Sequence, residues 1–385
     1  MKVAMFLHDL RAGGAERASV NLANAIRRQD HDVDLVLVNR LGCRAFFDEL
    51  EASIRVLELR QSRTLTSAIG FRSYMMCERP DLVISALTHI NVSALIGRQL
   101  SGYRPKITIV EHGQFSRERA KSMSVSVRMA YRLAPWLYPL ANVIAAVSEG
   151  AKQDLARSVG IDPERISVLH NPVVSENLTE ASLVPIDHPW FKENEPPVIL
   201  AVGALRSEKN FPLLIDAFNI LRQRRRVRLV IIGDGPEMPR LMNCVKSCPN
   251  AADIALLGFD ANPFKYMRRA ALLALSSDHE ALPSVLIEAM ACGTPVAATD
   301  CPTGPAEILL DGKLGTLSAT GDPTALAHAF EKSLDEPTSS DLLKKRAASF
   351  SVEHAASSYL AFEGAIVPKP EVETKKDSSL VNACD

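Results

Sequence analysis

The sequence predicts an α/β protein of two doubly wound parallel-sheet domains in tandem, and three observations carry that prediction. The chain has 385 residues, more than the ~250 to 300 at which a single hydrophobic core stops growing. Short β-branched or aliphatic runs alternate with longer helical patterns, as in parallel strands joined by crossover helices. The rhythm pauses once, in a stretch rich in Pro, Glu, Asn and Ser between about 172 and 196, where the domain linker is placed.

In chain order, strands are expected at VAMFL (3–7), VDLVLV (33–38), IRVLEL (54–59), DLVISA (81–86), KITIV (106–110) and NVIAAV (142–147). After the linker a second series follows: PVILAVG (197–203), VRLVIIG (227–233), IALLGF (254–259), ALLALSS (271–277) and PVAAT (295–299). Pro283 suits a first helical position and Gly293 the cap after a last turn, so a helix is expected from about 283 to 292. The domains are therefore expected at 1–172 and 173–350, with a final helix over 351–366 and a disordered polar tail over 367–385.

Composition narrows the function. With 47% apolar and 23% charged residues the chain reads as an ordinary soluble globular protein. A net charge of −1 speaks against nucleic acid as a partner. Seven scattered cysteines without CxxC pairing indicate a reduced, cytoplasmic protein, with Cys244 and Cys248 partly buried rather than a redox pair. The start, MKVAMFLHDL, is too short an apolar run for a signal peptide, and no stretch approaches the ~18 apolar residues of a membrane span. Membrane contact, if any, is peripheral.

Ligands of such sheets bind beyond the carboxyl ends of the strands, so the loops there carry the candidate site. After the first strand, Gly13 and Gly14 allow close backbone approach at a helix start suited to an anion. IGDGPEM lacks the third glycine of a dinucleotide fingerprint and reads as a turn. Asp32 and Asp34 form a DxD, but at the wrong end of a strand for a metal site. His112 follows a strand directly, where a site forms. Arg206 and Lys209 lie in the loop opening the second domain, where two cations before a helix oppose its dipole and suit a diphosphate. In HEALPSVLIEAM, Glu280 precedes the helix and Glu288 lies inside it. The open helix end at Ala281, Leu282, Pro283, Ser284 and Val285 offers a phosphate cradle, while the two carboxylates suit sugar hydroxyls and a ribose diol.

Together these residues resemble the retaining nucleotide-sugar glycosyltransferases of family 4, which have the GT-B fold of two Rossmann-like domains facing an interdomain cleft. The resemblance rests on GGAER (13–17), EHG (111–113), SEG (148–150), HNPV (170–173), GALRSEKN (203–210), GDGPE (233–237) and the spacing of Glu280 to Glu288; TDCPTGPAEIL (299–309) is similar to a subgroup that builds bacterial surface polysaccharides. It implies a nucleotide-sugar donor, a UDP-sugar in preference to a GDP-sugar, and neither cofactor nor metal. Arg206 and Lys209 would hold the diphosphate, Glu288 the ribose, the backbone after Leu257 the base, and Glu280 with the following amides the sugar. His112 would support the sugar near its anomeric carbon, with Gly13 and Gly14 across the cleft. Retention would proceed by same-face attack, the leaving phosphate assisting deprotonation of the acceptor. The final helix would cross back to the first domain.

The acceptor implied is a saccharide or lipid-linked oligosaccharide. Segment 115–141 mixes Arg117, Arg119, Lys121, Arg128 and Arg132 with Tyr131, Trp136 and Tyr138, a composition suited to an anionic membrane at the inner face of the cytoplasmic membrane. RQRRRVR (222–228) reads as a solvated face. The alternatives are a nucleotide-sugar epimerase, which would need no acceptor, and a non-catalytic nucleotide-sugar-binding scaffold, which would have no use for an intact set of Arg206, Lys209, Glu280 and Glu288.

Overall fold

A computed structural model describes residues 1–10, 13–39, 46–61, 66–122 and 124–361. The expected tail at 367–385 lies outside them. Continuous apolar runs form two wholly parallel sheets, because strands covered by helices on both faces bury most of their side chains. The first sheet contains β1 (Lys2–Leu7), β2 (Asp32–Leu37), β3 (Arg55–Glu58), β4 (Leu82–Ala86), β5 (Lys106–Glu111), β6 (Val143–Ala146) and β7 (Ile166–Val168). Their order is β3-β2-β1-β4-β5-β6-β7. The second contains β8 (Val198–Val202), β9 (Arg228–Ile232), β10 (Ile254–Gly258), β11 (Leu272–Leu275), β12 (Val296–Thr299) and β13 (Thr316–Ser318), in the order β10-β9-β8-β11-β12-β13. Strand order therefore reverses between β1 and β4 and again between β8 and β11, and a crevice opens at each reversal.

Several elements differ from expectation. β7 and β13 were not expected; each has three residues, too few to show periodicity. The linker is not simply a loop, since it holds the helix Glu176–Ser182 and a 3₁₀ turn, Pro189–Phe191. The helix after β11 is Ser284–Ala291, and Pro283, with an extended ψ of 95°, precedes it instead of opening it.

One apolar cluster runs from the first sheet (Met5, Ile84, Val110) through Val173 and Tyr359 to the second (Leu200, Leu273, Ile287). The last helix, Val352–Ala361, packs against the first-domain helix Gly14–Arg28. The two chain crossings are bonded together, Val173 N–H donating to Phe350 O at 3.0 Å and Val352 N–H to Val174 O at 3.0 Å. Among the described residues no helix is long and apolar enough to cross a membrane.

Candidate active site

Four loops meet between the sheets. A cleft of about 400 Å³ is lined by Gly13 and Gly14 after β1, His112 after β5, Arg206 and Lys209 after β8, and Glu280 through Val285 with Glu288 after β11. Every site residue expected from sequence is thus brought together except Leu257, which lies on β10 with its side chain against the central core and lines none of the cavities described here.

The two glycines differ in role. A Cβ on Gly13 would overlap the Glu16 carboxylate, whereas nothing lies within 4 Å of one on Gly14, which borders open cleft. In the GDG turn, a Cβ on Gly235 would meet Leu205 O at 2.5 Å, and Leu205 N–H donates to Asp234 O at 2.9 Å. These glycines let two loops pack backbone to backbone, so GDG supports the Arg206 loop from behind. Asp34, at the far end of its sheet, is held by Arg55 Nη2 at 2.7 Å and Tyr74 Oη at 2.7 Å as part of the fold.

Lys209 Nζ donates to Glu280 Oε1 at 2.6 Å, and Ser277 Oγ donates to the same oxygen at 2.7 Å. Asn210 Nδ2 donates to Asp278 Oδ1 at 2.8 Å and Ser276 Oγ to Lys209 O at 2.8 Å, so the loops after β8 and β11 form one unit. Arg206 is exposed, and among the described residues its guanidinium has no hydrogen bond or ion pair. Its five donors face solvent and cleft, ready for an anion. Pro283 has no N–H, so the expected phosphate cradle reduces to the amides of Ala281, Leu282, Ser284 and Val285.

His112 is half-buried, and its enclosed Nδ1 has no hydrogen-bond partner among the described residues. Burial pushes its pKa down to about 4, against the opposing pull of Asn171, which leaves a neutral imidazole at neutral pH. Glu288 is half-buried too; burial raises its pKa, and the charge of Arg17 on the helix Gly14–Arg28 opposes the rise. Beyond Glu288 and Ser284 a cavity of about 290 Å³ continues past Arg17 and Asn262. Asn262 Oδ1 is buried there without a partner among the described residues, while its Nδ2 donates to Ala181 O at 2.9 Å.

On the other side of His112 a cleft of about 890 Å³ lies against the first domain, lined by Asp9, Thr88, Glu111, Lys121, Tyr131 and, from the second domain, Arg206. His112 borders both clefts. Beneath it, the buried Glu111 carboxylate accepts from Thr88 Oγ1 at 2.9 Å, from Asn91 Nδ2 at 3.2 Å and from Tyr138 Oη. Burial outweighs these bonds and pushes its pKa up to about 7.

Sequence reasoning missed the residues that close the cleft. Gln114 Nε2 donates to Glu280 O at 3.0 Å and to Thr303 Oγ1 at 2.8 Å, Ser148 Oγ donates to Ala281 O at 2.8 Å, and Glu149 N–H donates to Glu307 Oε2 at 2.8 Å. His170 Nε2 sits 2.9 Å from the other oxygen of Glu307. The motifs SEG, HNPV and TGPAE held most of these residues without a role for them. Two expectations are corrected. Tyr131 and Tyr138 do not face a membrane; both are buried, with rings edge-on to Phe115 at 4.8 and 6.4 Å. RQRRRVR is not merely solvated, since Arg222 pairs with Asp253 at 2.8 Å and Arg228 with Glu195 at 2.6 Å.

Two family models match the chain: Glycosyltransferase Family 4 over residues 12–177 and Glycosyl transferases group 1 over residues 186–350. Together they cover every strand of the two sheets except β1. A Campylobacter jejuni protein, N-acetylgalactosamine-N,N'-diacetylbacillosaminyl-diphospho-undecaprenol 4-alpha-N-acetylgalactosaminyltransferase, is 28% identical over 87% of this chain and 90% of its own length. The amylovoran biosynthesis glycosyltransferase AmsD of Erwinia amylovora is 27% identical over 78% of this chain and 81% of its own. The crystal structure of Anabaena HepE in complex with UDP superposes with a TM-score of 0.73 at 19% identity, over 94% of this chain and 99% of that one. At that identity the likeness concerns the fold.

Proposed function

The chain belongs to family 4 of the glycosyltransferases, and from that premise we propose a retaining, metal-independent hexosyltransferase. It moves a hexose or N-acetylhexosamine from a nucleoside-diphosphate sugar, a UDP-sugar in preference to a GDP-sugar, to a lipid-linked saccharide in surface-polysaccharide biosynthesis. The observation that carries this reading is the position of His112 at the junction of the two clefts, with the unpaired Arg206 beside it.

The donor lies in the smaller cleft. Arg206 and Lys209 take the diphosphate and stabilise the charge that develops as the glycosidic bond breaks, the work a metal ion does elsewhere. Glu280, one oxygen of which is free of the Lys209 and Ser277 bonds, accepts from sugar hydroxyls. Glu288 accepts from the ribose, and the backbone after Leu257 borders the base. The neutral His112 holds a sugar hydroxyl near the anomeric carbon. The acceptor enters through the larger cleft and attacks on the face the phosphate leaves, its proton passing to that phosphate. The two glutamates bind rather than exchange protons, unlike the paired carboxylates of glycosidases.

The relatives' names support a polysaccharide role and, for the Campylobacter protein, an acceptor on diphospho-undecaprenol. Peripheral contact with an anionic membrane at the inner face falls to the exposed side of segment 115–141, where Val125, Met129 and Trp136 stand out with Arg128 and Arg132.

Thermal unfolding with UDP, GDP and NAD in turn, chelator present throughout, tests the reading. A ligand selective for the folded state adds about 2.7 kcal/mol at a hundred times its Kd. Stabilisation by UDP above GDP, and none by NAD, is expected. No shift with either diphosphate would count against a nucleotide-sugar site of any kind, whereas stabilisation by UDP without sugar transfer to any acceptor would favour the scaffold. Conversion of a UDP-sugar to its UDP-linked epimer in the absence of an acceptor would favour the epimerase.

A further inference from the structure

We propose that Asn171 is a positioning residue for His112: its side-chain oxygen takes the Nδ1 proton, so that Nε2 meets the donor sugar as a hydrogen-bond acceptor. The place of the proton follows from the geometry; its consequence for the sugar deepens the glycosyltransferase reading and rests on it.

His112 follows β5 directly and Asn171 lies shortly after β7. Both line the 400 Å³ donor cleft. His112 Nδ1 and Asn171 Oδ1 are each enclosed, and among the described residues neither has a hydrogen-bond partner. A ring nitrogen can carry a proton and an amide oxygen can only accept one in a hydrogen bond, so the two atoms are complementary. They are also neighbours. Burial lowers the His112 pKa to about 4, and the Asn171 side chain, acting as a hydrogen-bond partner of the ring, draws it back up. The contact falls short of full hydrogen-bond geometry, as contacts at active sites often do until substrate tightens them.

The stretch that carries Asn171 is clamped on both sides. His170 Nε2 lies 2.9 Å from Glu307 Oε1, Pro172 O accepts from Asn21 Nδ2 at 3.0 Å, and Val173 N–H donates to Phe350 O at 3.0 Å. The proline that follows also biases Asn171 towards extended backbone. Asn171 is only 6% exposed. A buried amide ordinarily has its hydrogen bonds made within the fold, yet among the described residues this one caps no helix and bridges no loops. As scaffolding it is a cost; beside His112 its oxygen has a use.

A neutral imidazole in water favours the proton on Nε2, and an acceptor fixed at Nδ1 reverses that preference. With Nδ1 enclosed, Nε2 is the nitrogen left for the two clefts that His112 borders. Held as the Nδ1–H tautomer, the ring offers a lone pair there and recognises an O–H on the donor sugar. A donor with an ether, or with no oxygen, at that position leaves Nε2 unmatched. The opposite tautomer would offer an N–H and take an ether or carbonyl oxygen as readily as a hydroxyl.

Two-bond ¹H–¹⁵N spectra of the full chain, ring-labelled at histidine and recorded at neutral pH, read the tautomer directly, with His112 identified by its loss in His112→Gln. Wild type is expected to carry the proton on Nδ1; a proton on Nε2 overturns the proposal before any Asn171 variant is made. Asn171→Asp keeps an oxygen against the ring and should keep the proton on Nδ1. Asn171→Leu, of similar volume, should move it to Nε2, and an unchanged signature in that variant likewise overturns the proposal. With UDP-N-acetylgalactosamine as the probe, release of UDP by Asn171→Leu should fall about tenfold or more through misalignment of the ring, while its Kd for UDP stays that of wild type. Loss of UDP binding together with turnover would make Asn171 a packing residue of the cleft and overturn the positioning role. Absence of turnover of any UDP-sugar by wild type, with the tautomer as expected, would instead count against the proposed function, so the two readings fail separately.

Discussion

Lys209 and Glu280 form an ion pair of 2.6 Å across two loops of the second domain, with only 10% of the glutamate side chain exposed. Both bonds to this carboxylate, from Lys209 and Ser277, fall on Oε1, so Oε2 is left for a ligand. The pair ties the loops after β8 and β11 together without any ligand. Lys209→Met strands a largely buried carboxylate and should cost about 1 to 3 kcal/mol of stability. Adding Glu280→Gln to it should cost less than the sum of the two single changes, while transfer falls about a hundredfold or more in all three variants. Urea unfolding and turnover of the same preparations test this; strict additivity would mean that the pair is not coupled in solution.

Arg206 behaves differently, since among the described residues no hydrogen bond or ion pair holds its guanidinium. Arg206→Ala should leave unfolding within about 0.5 kcal/mol of wild type, as for other surface changes. Transfer should nonetheless fall by about 10² to 10³, the usual loss when one donor to a developing negative charge is removed. Near-normal turnover would refute the diphosphate assignment.

What was legible in the sequence follows from how each feature is encoded. Strands such as Lys2–Leu7 and Leu82–Ala86 show as largely apolar runs because both faces are covered. Ile166–Val168 and Thr316–Ser318 are too short for any pattern to rise above their surroundings. Arg206, Lys209, Glu280 and Glu288 stand out as charges at strand and helix ends, where a local structural reason is lacking. Gln114 and Ser148 do not, because their partners lie 166 and 133 residues away and are fixed only when the domains meet. Tyr131 and Tyr138 were misread since an aromatic residue beside arginines looks the same whether its helix face is turned to solvent or to core.

Gly150 sits at that domain seam. A Cβ there would stand 2.6 Å from Thr303 Cγ2 and 3.0 Å from Thr303 Cβ, beside the Glu149 to Glu307 bond. Helix propensity alone favours Ala over Gly by about 1 kcal/mol, so Gly150→Ala should leave the first domain as stable as before, or more so. If the seam forms during turnover, the same change should cut transfer about tenfold and raise the KM for the donor. Thr303→Ser removes Cγ2, keeps the Oγ1 that Gln114 bonds, and should restore part of the loss. A Gly150→Ala enzyme with unchanged kinetics would mean that catalysis does not use this closed arrangement.

Glu111 and His112 are adjacent and titrate with opposite consequences. Burial lifts the Glu111 pKa from 4.5 to about 7, so the native state binds its proton more tightly than the unfolded chain does. Its contribution to stability is complete below about 4.5 and is lost as pH rises through about 7. Burial lowers the His112 pKa from 6.5 to about 4, so its contribution is complete above about 6.5 and is lost as pH falls through about 4. In wild type the two effects offset one another over most of this range. Glu111→Gln removes only the first, since an amide can accept from Tyr138 and Asn91 through its oxygen and donate to Thr88 Oγ1 through its nitrogen. The stability of the variant relative to wild type should therefore grow between pH 4.5 and 7 by something on the order of 3 kcal/mol, and the variant's own stability should rise with pH up to about 6.5. Urea denaturation at closely spaced pH values measures both curves. Parallel curves across that window would mean that Glu111 titrates as an ordinary carboxylate and that the enclosure beneath His112 is open to water.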